Sequence, residues 1–243
     1  MYDEVVSPRK EKSDPTLGPV AVMVAMERDL ALMRRSMGIP GRPICKIMTS
    51  RLYKAIYRDQ DMTVVGPMLG APHAVMILEK LVVLGAKKIL FLGWCGSVHH
   101  GVGVADFVVP DRALVGEGTS EYYRVRNEGP RASEGLVKAI EASLKEYPIH
   151  FHKGLVWSTD APYRETRQRV LLLQREGVVA VDMEISALFS AARFRRVEIG
   201  ALLVVSDELG SLQWRPGFSN SKFKKSRKIA VDIVCSTCKK LSV

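Results

Sequence analysis

The sequence predicts an α/β fold around a mixed, partly closed sheet, and three observations point there. Buried-strand patterns alternate with helical ones along most of the chain, as in VAVMVA followed by a helical stretch, or IGALLVV followed by another. Three short β-branched or aromatic segments, 43–48, 51–57 and 62–66, follow one another without a helix and read as an antiparallel meander. Two of the apolar strands then end in acids: VVAV runs into Asp182-Met183-Glu184, and IGALLVV into Ser206-Asp207-Glu208. Ligands of open α/β sheets sit at the carboxyl ends of strands, so Glu184 and Asp207 become the leading candidates for chemistry.

Residues 1–17 carry mixed charge with Pro8 and Pro15 and read as a mobile polar arm, leaving 18–243 as one domain. A helix is expected from Glu27 to Met37, with Leu30 and Met33 at inward spacing and Gly38 closing it. After Gly70-Ala71-Pro72 a second helix runs to Leu84, with Gly85 placed as its left-handed end. The strand KKILFLG leads into an expected turn, Gly93-Trp94-Cys95-Gly96-Ser97, and a strand at 106–110 leads into a polar loop at 116–120. Helices are expected at 132–146, 165–175, 185–195 and 222–241, and strands at 151–158, 178–181 and 198–206.

At 243 residues and 47% hydrophobic content the chain can fill one large core. It has no apolar run of membrane-spanning length, and its opening MYDEVVSPRKEKSDPTLG lacks the apolar stretch of a secretory leader, so a soluble cytoplasmic protein is expected. Cys45, Cys95, Cys235 and Cys238 form no disulfide framework, and neither they nor the His pairs have metal-ligand spacing, so no metal is expected. The formal charge of +10 comes in part from Lys222-Phe223-Lys224-Lys225-Ser226-Arg227-Lys228, which reads as a solvated helix face rather than a nucleic-acid contact.

A carboxylate entering a helix from a strand, as Glu184 does, is favoured in its ionised form by the helix dipole and can accept from two adjacent hydroxyls such as those of a ribose. An acid beside an apolar strand end, as Asp207 is, can keep a proton near neutral pH and give it to a leaving group. Each also has a structural alternative: Glu184 and Asp182 as dipole-complementing acids, Asp207 as the cap of the following turn. The pair Gly93 and Gly96 allows backbone N–H groups to approach an anion, but the dinucleotide fingerprint is missing.

Together the segments Val181-Asp182-Met183-Glu184, Val205-Ser206-Asp207, Gly70-Ala71-Pro72, Gly93 to Ser97 and Ser158-Thr159-Asp160-Ala161-Pro162-Tyr163 resemble the nucleoside phosphorylase superfamily over about residues 19–240. The resemblance implies a three-layer α/β/α domain, a homo-oligomer (a dimer or trimer of dimers), no cofactor, and inorganic phosphate as co-substrate in cleaving a nucleoside's N-glycosidic bond. It implies that Met183 and Glu184 hold the ribose, that Asp207 protonates the departing base, and that Pro162, Tyr163 and Arg164 line the base pocket. At the phosphate site the chain departs from the family: Asp29, Phe91 and Trp94 stand where two arginines and a hydroxyl residue are usual.

Arg28, Arg51 from a neighbouring subunit, Arg215 and the backbone at Gly93 are the remaining candidates for phosphate. Ala25-Met26-Glu27-Arg28-Asp29 also resembles the start of the hydrolytic nucleosidases, which gives Asp29 a second role, activating water. Phosphorolysis of a purine nucleoside or of uridine and hydrolysis therefore both stand. Two readings of other classes stand beside them: a catalytically inactive nucleoside-binding protein, suggested by Trp94, and a nucleic-acid binder using the 222–228 run.

Overall fold

In the computed structural model, which describes residues 4–39, 41–57, 60–125 and 129–241, ten strands and six α-helices alternate much as expected. The first half contains β1 (Val20–Val24), α1 (Glu27–Ser36), β2 (Cys45–Ile47), β3 (Ser50–Tyr57), β4 (Gln60–Gly66), α2 (Ala71–Leu84) and β5 (Lys88–Ser97). The second contains β6 (Phe107–Gly116), α3 (Glu134–Leu144), β7 (Phe151–Thr159), α4 (Arg167–Arg175), β8 (Val178–Asp182), α5 (Ile185–Phe194), β9 (Glu198–Glu208), β10 (Arg215–Pro216) and α6 (Ser221–Leu241). Residues 58 and 59, the expected meander turn, lie outside the described residues.

All ten strands join in the order β10-β9-β6-β7-β8-β5-β1-β4-β3-β2, and a further β9–β5 pairing closes β5, β8, β7, β6 and β9 into a ring. The sheet is mixed: β1 runs parallel to β4 and β5, and β5 parallel to β9, whereas β5 and β8 are antiparallel. The expected meander is β2–β3–β4, antiparallel throughout. Two apolar clusters cover the sheet, one centred on α2 and α5, the other on α1, α3 and α6. Strands buried on both faces cannot alternate polar and apolar residues, which is why β1 and β9 read as continuous apolar runs.

The expected turn at Gly93 to Ser97 is instead the second half of β5, which continues beside β9 with a register shift between Cys95 and Gly96. Glycine is required there by crowding rather than by turning: a Cβ on Gly96 would stand 2.6 Å from Leu209 Cδ1 and 3.2 Å from an Asp207 oxygen. At Gly85 the reason is conformational, since φ is +126° at the end of α2. The 116–120 loop is partly helical, with a 3-10 turn over Thr119–Tyr123. Segment 4–17 touches the domain through Glu4 with Arg195, Asp14 with Lys80 at 2.6 Å, and the buried Leu17. No helix among the described residues is long and apolar enough to cross a membrane.

One polar tie fastens α1, β5 and α6 together. Asp29 is 2% exposed, and its Oδ1 accepts from Arg227 Nε at 2.7 Å while its Oδ2 accepts from Trp94 Nε1 at 2.5 Å. Burial pushes the Asp29 carboxyl up, and the Arg227 guanidinium and the Trp94 indole pull it back in part. The guanidinium lies 5.0 Å from the Trp94 ring centroid, and Phe223 meets the same ring edge-on at 4.9 Å. On α6, Phe223 and Arg227 point inward while Lys222, Lys224, Lys225 and Lys228 are exposed, so the basic run is the outer face of an amphipathic helix.

Breaking this tie from one side leaves a buried unpaired charge. Asp29→Ala is expected to cost about 3–5 kcal/mol in urea unfolding, and the apolar double replacement Asp29→Leu with Arg227→Met to recover most of it. A single-variant loss below about 1 kcal/mol would show that the pair does not fasten these elements.

Candidate active site

Gly96 is where the two acid-bearing strands meet. It pairs with Val181 of β8 on one side and with Asp207 of β9 on the other, so acids far apart in the chain emerge at one place. There they line a single cavity of about 530 Å³ with Ala25, Met26, Met68, Trp94, Trp214 and Phe218. Of the residues singled out from sequence, Met183, Glu184, Asp207, Pro162, Tyr163 and Trp94 line this cavity. Arg164, Arg28, Gly93 and Asp29 do not, and Arg51, expected at the site of a neighbouring subunit, does not line the cavity of its own chain.

The reasons for those absences are local. Arg28 and Arg164 are exposed, and Arg51 pairs with Glu27 on the surface. Gly93 is buried within β5, where a Cβ would meet the Phe91 ring and Leu203. Asp29 stands behind Trp94, with both carboxylate oxygens engaged as described. The wall that sequence offers for phosphate or activated water is therefore an indole face.

Glu184 opens α5 and is 6% exposed; its Oε1 accepts from the Gly70 N–H at 2.7 Å. Asp182, two residues earlier, accepts from Ser158 Oγ at 2.6 Å and from the N–H groups of Glu184 and Ile185 at 2.9 and 2.8 Å. Burial pushes both carboxyls up, and the Asp182 charge pushes Glu184 further. Three donors hold charge on Asp182, while Glu184 has the N–H groups of Gly70 and Met183 and the Asp182 charge against it, so Glu184 is the member of the pair that keeps a proton more readily.

Beneath this pair lies a polar layer that sequence reading did not find. Buried Glu117 accepts from Ser186 Oγ at 2.8 Å and from Ser120, and Ser186 N–H donates to Ser158 Oγ at 2.9 Å. No residue spacing announces it, because its members come from the bend after β6, the 3-10 turn, β7 and α5.

Asp207 accepts from Ser206 Oγ at 2.6 Å through Oδ1 and from Trp214 Nε1 at 2.8 Å through Oδ2. Trp214 is exposed and leans on Phe218, whose ring lies 6.2 Å from that of Trp94. The cavity thus has aromatic rings along one side and acids along the other. Glu165 adds a fourth acid to Asp182, Glu184 and Asp207, and among the described lining residues there is no Arg, Lys or His. No cluster able to hold a metal ion occurs among the described residues.

This arrangement can hold a neutral polyhydroxyl group at Glu184, offer a proton near Asp207 and stack a planar ring on Trp94, Phe218 or Tyr163.

Residues 19–241 match the family model described as the Phosphorylase superfamily. A purine nucleoside phosphorylase (DeoD-type 1) of Shewanella oneidensis is 27% identical over 158 residues, which is 63% of this chain and 66%, just under two thirds, of that relative. Solved structures share the fold: a uridine phosphorylase from Vibrio fischeri superposes with TM-score 0.82 at 21% identity, covering 92% of this chain and 93% of that one. A purine nucleoside phosphorylase from Toxoplasma gondii in complex with immucillin-H superposes with TM-score 0.83 at 20% identity, covering 99% and 98%. With the family match running through nearly the whole described fold, the chain belongs to the phosphorylase superfamily.

Proposed function

We propose that this protein cleaves the N-glycosidic bond of a nucleoside and releases the base, a pentosyl transfer. The observation that carries the reading is the common cavity of Glu184 and Asp207. Breaking this bond builds positive charge on the pentose and negative charge on the leaving base, so a site needs a held sugar and a proton donor at the base. Glu184 with Met183 takes the sugar hydroxyls, and Asp207 serves the base, with Pro162, Tyr163 and Trp214 around the ring. A purine fits better than a pyrimidine, because its N7 is basic enough to receive a proton, and the name of the Shewanella relative supports the same choice.

Inorganic phosphate is the acceptor that the names of the relatives support. A second reading, water, is favoured by the lining itself. Four acids and, among the described lining residues, no cation make a poor host for a phosphate dianion, and the Arg227 guanidinium behind Trp94 is already paired with Asp29. We further propose that residues 18–243 act as one catalytic domain in a cytoplasmic homo-oligomer; exposed Ile44, Met48, Leu69 and Met76 support self-association.

Purine and pyrimidine nucleosides incubated with and without phosphate distinguish the readings. Ribose 1-phosphate establishes phosphorolysis; free ribose without phosphate dependence establishes hydrolysis; saturable binding with no base released leaves a binding protein. Asp207→Asn is expected to slow base release by about 10²-fold with nucleoside affinity nearly unchanged, and full turnover in that variant removes Asp207 from the reaction. Glu184→Ala is expected to weaken nucleoside binding by about tenfold or more in titration calorimetry, the worth of the hydrogen bonds between this buried carboxyl and the sugar hydroxyls.

A further inference from the structure

One carboxyl of the cavity has no part in the reading above. Glu165 lies between the 3-10 turn Pro162–Arg164 and α4, and it lines the same cavity as Asp207. The two acids are equipped differently. Both oxygens of Asp207 accept hydrogen bonds, from Ser206 and Trp214, whereas among the described residues the Glu165 carboxyl has no hydrogen-bond partner. A carboxylate whose oxygens are taken by donors is well placed to stay an acceptor. A carboxyl without donors, facing an apolar cavity and a like charge, is placed to carry the proton.

The groups around Glu165 reinforce this. Asp207 faces it from β9, Asp182 and Glu184 line the cavity from the end of β8 and the start of α5, and Tyr163 and Cys95 are the other titratable side chains there. Burial holds the Cys95 thiol well above its usual range, so it carries no charge. Arg164 and Arg167 on the segment of Glu165 itself are exposed. No cation lines the cavity among the described residues to draw the proton off.

We propose that Glu165 is a second acid of the reaction, the group that carries the proton destined for the departing base, working beside Asp207. This rests on the cleavage reading. The C1′–N bond breaks with its electron pair going to the base, the Glu165 proton passes to a ring nitrogen, and Glu165 is left as carboxylate. As the acceptor oxygen bonds to C1′, the hydrogen of water or of hydrogen phosphate is released and restores the acid. Burial, with the Asp207 charge second, pushes the Glu165 carboxyl up to about 7, where a general acid is most effective.

The sign of the pH dependence follows. The working form is the protonated one, so kcat/KM is lost as pH rises through about 7 and retained below it. The test is a profile of base release from about pH 5.5 to about pH 9 with whichever nucleoside turns over. The wild-type protein is expected to lose about tenfold per pH unit above the limb. Glu165→Gln is expected to be slower by about 10²-fold and to lack that limb, and Glu165→Asp to keep the limb at a reduced rate. Asp207→Asn is expected to move the limb to lower pH, because the like charge is gone.

A wild-type profile flat through neutral pH, or a limb that persists unchanged in Glu165→Gln, overturns the role of Glu165 and leaves the cleavage reading standing. Absence of base release from every nucleoside, with and without phosphate, removes the cleavage reading and this inference with it.

Discussion

The site depends on how β5 is flanked. β9 runs parallel to it and β8 antiparallel, and the two flank it together at Gly96 and Ser97. Hydrogen bonding of three strands fixes their backbones about 5 Å apart, so side chains leaving the ends of β8 and β9 must share whatever space opens there. That space exists because position 96 has no side chain: a Cβ would press on Leu209 and approach Asp207 and Val181. Closure of the ring adds rigidity, since β9 is held by β5 and β6 together and cannot shift without breaking both pairings. Asp182 and Asp207 are positioned by sheet register rather than by loop conformation.

Hydrogen-bond supply then separates those acids into unlike partners. At the end proposed for the sugar, Asp182 has three donors and Glu184 two. Near the base end, Asp207 has two and Glu165 has none among the described residues. In each pair the donors hold charge on one member, and that charge together with burial raises the other. One carboxylate and one carboxylic acid at each end of a cavity is a chemically richer set than four equivalent acids. The backbone supplies much of the difference, through the N–H groups at the start of α5 and at Gly70.

Much of this could be read from residue order, and the remainder could not, for physical reasons. Apolar runs that end in acids gave β8 and β9 and their candidate residues, because a strand buried on both faces has no other reason to stop at a carboxylate. Gly93 to Ser97 was misleading because glycine serves two ends, backbone freedom and bare space, and sequence does not distinguish them. The tie from Asp29 to Arg227 joins residues 198 positions apart, and no periodicity links α1 to α6. Glu165 reads in the sequence only as the first residue of the helix expected over 165–175; its meaning comes from Asp207, which lies across the cavity and not along the chain.

The acid-rich lining, with no cation among the described residues, would be a defect in a site that had to bind a preformed anion, yet it suits the charge changes of the proposed glycosidic cleavage. In the proposed reaction, oxocarbenium character developing at the pentose is attracted by the Asp182 carboxylate, in surroundings where burial keeps that attraction strong. Among the described lining residues, negative charge developing on a leaving base would have no cation to meet, which leaves a proton to quench it. The more acidic the cavity, the more the reaction depends on where protons rest before the bond breaks. In this protein the donors along the cavity wall, by occupying some carboxylates and leaving others free, decide that placement.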